Sequence, residues 1–197
     1  DAFVSGAVSF GISKENAIDI FNEMLGFAKY AFNKSHATAY GIISYRTAYL
    51  KAHYPAEYFS ALMSSVLSNA QKLRAYIDDA QKNGVNVFPP DINSSEADFS
   101  VNDGNIRYGL LAIRNVGEQF AKSVMSERKI RRFDSFDDFV SRLSARDINK
   151  RTLESLIKCG VFDSLGVTRN SLMSCYQEIL DIEHEKLRNN VPGQIDF

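Results

Sequence analysis

Cysteine, proline and long apolar runs are all scarce in this sequence, and each shortage excludes something. Only Cys159 and Cys175 occur in 197 residues, with no CxxC pair and no Cys/His cluster. Neither a disulfide scaffold nor a zinc site is indicated, and a reducing, cytoplasmic setting is expected. No apolar run approaches the roughly 20 residues that cross a bilayer, and no charged-then-apolar leader opens the chain, so no membrane partner is expected. Pro55 is the sole proline of the first 84 residues. Acid is missing between Glu23 and Glu57, a stretch that carries Lys29, Lys34, His36, Arg46, Lys51 and His53. The chain starts at Asp1 without a methionine and stops at Phe197 in a polar tail. It is therefore expected to be a piece of a longer protein.

What is present points to a folded, mainly helical protein. At 45% apolar content the chain is long enough for one large or two small domains with cores of their own. The net charge of −1 hints at no polyanion partner, but its distribution is uneven. Residues 107–158 hold twelve basic and seven acidic side chains, whereas 61–106 and 159–197 each hold three basic and six acidic. The third quarter of the chain is thus a basic zone.

Apolar side chains recur at three- and four-residue spacing through residue 84. Ser13 is expected to cap a helix whose stripe is Ile18, Phe21, Met24, Leu25 and Ala28. A second helix is expected from about Lys34 to His53, a third with Pro55 in its first turn, and a fourth capped by Asn69 and ended by Gly84. The period then shortens to two. "VNVFPPDIN" (85–93) reads as an extended segment stopped by a double proline, and "FSVNDGNIRYG" (99–109) as a hairpin turning at Asp103-Gly104. Short helices follow over about 117–129, 136–143, 149–159 and 168–188, then a Pro/Gly-punctuated tail. The acidic pairs Asp78-Asp79 and Asp137-Asp138 read as solvated helix faces.

"LLAIRNVGEQFAKSV" (110–124) matches the helix-hairpin-helix pattern: a short helix, a tight turn at Asn115-Val116-Gly117 and a second helix opening at Glu118. Such a turn aims backbone N–H groups outward at a helix start, where an anion is favoured and a nucleic-acid phosphate is the usual occupant. Asn115 stands where glycine is usual; positive φ is expected there, and asparagine tolerates it best among the other residues. A looser copy runs over 149–166 with Gly160 opening its turn. Two such hairpins side by side grip duplex DNA without reading bases. Asn115, Val116, Gly117, Glu118 and Lys122 are the expected backbone-binding residues of the first hairpin, and Lys158, Cys159 and Gly160 those of the second. Lys122, Arg128, Lys129, Arg131 and Arg132 add charge nearby. Cys159 reads as a small packed residue rather than a nucleophile.

Taken in order, "FNKSHATAYGIISYRTAYLKAHYPAEYFSALM", "FPPDIN", "YGLLAIRNVG", "LIKCGVFDSLG" and "GQIDF" resemble the C family of bacterial replicative DNA polymerases, the DNA polymerase III alpha subunits. The resemblance spans essentially the whole chain. It implies a mainly α architecture: a helical C-terminal fingers region (1–84), a small β connector (85–109), a tandem helix-hairpin-helix domain (110–188) and a tail (189–197) entering a clamp-binding motif. It also implies Mg²⁺-dependent nucleotidyl transfer in the parent enzyme, a DNA-directed DNA polymerase. No residues here match the palm carboxylates that hold those ions. No catalytic residue, metal site or cofactor is therefore expected in this chain, and no polymerase activity from it alone.

The resemblance locates the fingers region, and residue type suggests the roles within it. Lys34, Ser35 and His36 are expected at the triphosphate of an incoming deoxynucleotide, and Tyr40 as a wall near its sugar or base. Arg46 reads either as a phosphate contact or as a strut to the palm. Tyr45, Tyr49 and Tyr54 read as amphipathic packing residues. Gln194, Ile195, Asp196 and Phe197 resemble the first four residues of a pentapeptide that binds the sliding clamp, the beta subunit. The partners so implied are primer-template DNA, a deoxynucleoside triphosphate, the clamp and other holoenzyme subunits. Two other readings stay open: a stand-alone helix-hairpin-helix module of a repair protein, and a helical interaction scaffold with no nucleic-acid role.

Overall fold

A computed structural model describes residues 2–30, 34–143 and 148–189. The chain divides into two compact units, 1–49 and 50–197.

The first unit holds helices α1 (Ala2–Ser9), α2 (Lys14–Tyr30) and most of α3 (Lys34–His53). Ser13 caps α2 as its position demands, its hydroxyl accepting from the Asn16 amide at 3.2 Å. α1 packs against α2 through Phe3 and Phe21, whose rings stack at 5.7 Å. An eight-residue helix cannot cover a seventeen-residue one. Ala17 is buried, while Ile18, Met24 and Leu25 of the expected stripe are 40%, 51% and 43% exposed. α3 starts and stops where the sequence indicates, yet it buries no residue. The expectation that Tyr45, Tyr49 and Tyr54 pack is corrected, since 47–72% of each is exposed.

In the second unit, Pro55 opens α4 (Pro55–Ser64), its missing N–H falling where no helical partner exists. The Asn69 side chain accepts from the Lys72 amide and starts α5 (Ala70–Lys82). Strands β1 (Val87–Phe88), β2 (Ser100–Asn102) and β3 (Asn105–Arg107) form a sheet in the order β1-β3-β2. Asp103 and Gly104 turn the β2–β3 hairpin at positive φ, with Val101 opposite Ile106. β1 runs parallel to β3 with Val87 opposite Ile106. Phe59, Met63, Leu73, Val85, Phe99 and Ile106 fill the core between these helices and the sheet.

A second core lies beneath α6 (Glu118–Ile130), α7 (Phe136–Arg142), α8 (Lys150–Cys159) and α9 (Arg169–Asn189). Phe139, fully buried, stands at its centre with its ring edge-on to Phe120, Phe133 and Phe162 at 4.9–6.4 Å. Tyr108 packs against both cores and meets Phe99 edge-on at 4.7 Å.

Residues 89–98 form a strap joined to this hairpin domain by polar contacts. The Ile92 amide donates to the Val161 carbonyl. Asn93 exchanges two hydrogen bonds of 2.8 Å with the Phe133 backbone. Arg128, 10% exposed, donates to the Ser95 carbonyl and pairs with Glu96 at 2.6 Å. Burial pushes the Asp91 carboxyl up, but the hydroxyls of Ser164 and Ser94, the Asn93 amide and the charge of Arg107 together hold it below its ordinary value.

Two of the four carboxylates expected on solvated faces are committed to ion pairs. Asp79 meets Lys51 at 2.7 Å. Asp138, 16% exposed, accepts from Arg131 at 2.6 Å and from Arg142 at 3.3 Å. Burial pushes its carboxyl up, while the Asp134 amide and both arginines pull it below its ordinary value. A carboxylate depressed by folding adds stability above its unfolded pKa, about 4, and that stability is lost as pH falls through the folded value. Denaturant midpoints for wild type and Asp138→Asn should therefore differ most at neutral pH and draw together as pH falls below the ordinary carboxylate range, about 4.

Candidate nucleic-acid interface

The first hairpin departs from its expected form in one respect. Its leading helix is a single 3-10 turn, Leu110–Ala112, after which Ile113 is extended. The strap meets the chain at this turn: the Leu110 and Leu111 amides, which have no partner inside a helix start, donate to the Glu96 and Ala97 carbonyls at 2.9 Å. Gly109 allows that approach, because a Cβ there would stand 2.4 Å from the Asp98 carbonyl carbon.

Asn115 then takes φ +64°, the left-handed conformation its position calls for. Two contacts to α8 hold it there. The Thr152 hydroxyl, on a residue 3% exposed, donates to the Asn115 carbonyl at 2.8 Å. The Asn115 side-chain amide donates to the Ser155 hydroxyl at 2.9 Å. Val116 is half-buried against the core, and Gly117 opens α6 with no side chain capping its amides. Gly117, Glu118 and Gln119 are exposed, and nothing stands within 4 Å of where a Gly117 Cβ would project. The positive end of the α6 dipole is open to solvent, the arrangement that suits an anion. Lys122 lies one turn along, paired with Glu118 at 2.8 Å and 64% exposed.

The second hairpin has the expected glycine and a different end. Gly160 caps α8 at φ +78°, but it is buried, and its amide donates to the Ile157 carbonyl at 3.0 Å. It has no amide to present. Arg169 packs over this glycine and pairs with Asp163, holding that carboxyl below its ordinary value. At the start of α9 one amide, that of Ser171, donates to the Thr168 hydroxyl at 3.2 Å. Lys158 is 61% exposed and paired with Glu154. Cys159 is exposed, not packed. Partial desolvation by its surroundings pushes its thiol up, against the pull of Arg169. The tandem is therefore asymmetric, with no side-chain cap at the start of α6 and a Thr168–Ser171 cap at the start of α9.

Several arginines of the basic zone serve the fold. Arg128 and Arg131 are ion-paired. Arg142 donates to the Glu127 and Arg131 carbonyls and lies over the Phe133 ring at 4.5 Å. The zone's positive surplus thus overstates what an outside polyanion would meet.

In the first unit, Lys34, Ser35 and His36 occupy the first turn of α3, and Tyr40 lies one turn on. All four are exposed, as is Arg46, and the His36 and Tyr40 rings meet at 4.5 Å. Among the described residues no carboxylate pairs with Lys34 or Arg46. Also among the described residues, no three of His, Cys, Asp and Glu gather closely enough to share a metal ion. No described helix is long and apolar enough to cross a membrane. Gln194, Ile195, Asp196 and Phe197 lie outside the described residues.

Known proteins resemble this chain in sequence. Residues 84–172 match a family model described as a helix-hairpin-helix motif. The DNA polymerase III subunit alpha of Neisseria meningitidis serogroup B is 44% identical over 200 residues, which is all of this chain and 18% of that protein. The proteins of the same name from Borreliella burgdorferi and Thermus aquaticus are 42% and 44% identical over 98% and 91% of the chain, covering 17% and 15% of their own length. The chain thus spans less than a fifth of the relatives it matches.

Asn115 sets the geometry of the open turn, and its replacement tests that. Asn115→Ala forces an alanine into left-handed backbone and removes the bond to Ser155, costing about 1–3 kcal/mol. Asn115→Gly keeps the backbone free and should cost less. Equal losses in denaturant unfolding would show that backbone conformation is not the constraint.

Proposed function

Homologous over its whole length to a segment of the DNA polymerase III alpha subunits, this chain serves, we propose, as the duplex-gripping and nucleotide-facing part of a replicative DNA polymerase. The single observation that carries the reading is the open N-terminus of α6, its amides aimed outward by Asn115 inside a helix-hairpin-helix domain. Such a turn holds a backbone phosphate and reads no base, which suits a polymerase that must travel over every sequence. Gly117 and Glu118 supply amides, and Lys122, Lys158 and the rim of the second turn at Cys159 supply charge and surface. Gly160 serves this grip by shaping the turn, since its amide is already bonded.

The first turn of α3 fits the second task. Lys34, Ser35 and His36 meet the triphosphate of the incoming deoxynucleotide, with charge and amides positioned where negative charge builds on the leaving pyrophosphate. Tyr40, against His36, walls the sugar or base, and Arg46 contacts phosphate or braces the palm. Phosphate binding here meets little internal competition, because α3 carries no acid.

Among the described residues, no group of carboxylates fits the Mg²⁺ chemistry of the parent enzyme. Asp79 and Asp138 are held by Lys51 and by two arginines, and Asp78 and Asp137 stand alone on exposed faces. No step through a metal is derived for it; the ions and their carboxylates belong to the rest of the polypeptide, as do the other holoenzyme contacts. The tail, through Gln194, Ile195, Asp196 and Phe197, takes part in binding the sliding clamp. The assembly works in the cytoplasm.

A stand-alone repair module would have no use for the acid-free helix, and a scaffold would have no use for an uncapped, outward-facing helix start. Duplex binding by the full chain should weaken steeply with salt, log K falling with log[salt] by about 0.9 per phosphate neutralised, and should not depend on sequence. Flat or absent binding would favour the scaffold. In the longer polymerase, His36→Ala should raise KM for nucleotide or lower kcat at least several-fold; unchanged kinetics would remove His36 from the site.

A further inference from the structure

Beside the open turn lies a shallow hollow that no expected contact includes as a whole. Its walls are Arg114, next to the left-handed Asn115, and the α8 face formed by Arg151, Ser155 and Lys158 with Cys159 at its end. Arg151, Ser155 and Lys158 share that face because they are spaced by four and three residues. The bond from Asn115 to Ser155 brings the turn against it. Three cationic side chains line the hollow against one carboxylate, Glu154, which is paired with Lys158. Arg114 and Arg151 are exposed, and among the described residues neither has an ion-pair partner. They differ in this from Arg128, Arg131, Arg142 and Arg169, each committed within the fold. Two arginines without ion-pair partners lining one hollow suit a planar or tetrahedral oxyanion held through paired N–H donors.

We propose that this hollow is a second phosphate site, in which Arg114 and Arg151 clamp a backbone phosphodiester of the duplex whose neighbouring phosphate sits on the α6 amides. The inference rests on the duplex-binding reading above. It adds two residues to that reading and makes the seam between the hairpins, rather than the buried second turn, the partner of the open one. The α8 face supplies the charge that the closed amide of Gly160 cannot.

Cys159 gives a readout at the site itself. Duplex binding by the full chain is measured across a salt series for wild type and R114Q/R151Q, and alkylation of Cys159 by iodoacetamide is followed by peptide mapping with and without duplex. The double variant should bind about tenfold more weakly at low salt, with a slope shallower by about one to two. Duplex should slow alkylation of Cys159 several-fold, and inorganic phosphate at matched ionic strength should not. If wild type binds with a steep salt dependence while the variant keeps that slope and Cys159 stays equally reactive, the hollow is not a phosphate site and duplex binding still stands. Protection by inorganic phosphate alone would reassign the hollow to a free anion and overturn the proposal. Absence of wild-type binding would remove both readings together.

Discussion

The left-handed backbone at Asn115 is the constraint on which the candidate interface depends. At φ +64° the chain reverses within three residues and enters α6 with its first amides facing water. Asparagine bears this conformation at a cost, and the Thr152 hydroxyl and the Ser155 oxygen offset it. Both partners lie on α8, whose Leu153, Leu156 and Ile157 are buried in the core around Phe139. Turn, latch and core thus form one chain of support, and the first hairpin takes its shape from the second.

Much of this was legible because the signals are local. Pro55 and Asn69 mark helix starts through a missing donor and a short acceptor, and Asp103-Gly104 marks a hairpin through tolerance of positive φ. The Lys34–His53 helix shows in its unbroken run of residues without proline. Asn115 was readable for the same reason, since a turn of fixed geometry admits few residue types. The comparisons agree with the family resemblance over the full chain, which was carried mainly by the stretch around α3.

What was not legible depends on contacts distant in sequence. The strap over 89–98 has no periodicity to announce it, and its polar side chains read as loop until their partners, 13 to 40 residues away, are known. That strap also accepts the first amides of the first hairpin's leading helix, a single 3-10 turn. Charge counting could not separate arginines that support the fold from arginines that face outward, because composition is blind to pairing. Cys159 reads as packed because cysteine behaves as a small apolar residue and no His lies near it in sequence, but it is the exposed last residue of α8 before a left-handed glycine. The apolar stripe of α2 was legible as a pattern, but an amphipathic period reports what a helix could bury and not what the chain offers to cover it.

The central claim is that the amides opening α6 receive a backbone phosphate. Amide chemical shifts across the chain, followed by NMR while two duplexes of unrelated sequence are titrated in turn, test it most directly. The account predicts that Gly117, Glu118 and Gln119 show the largest changes, to the same extent with both duplexes. Unmoved amides at these three positions, with changes concentrated elsewhere on the chain or differing between the two sequences, would contradict it.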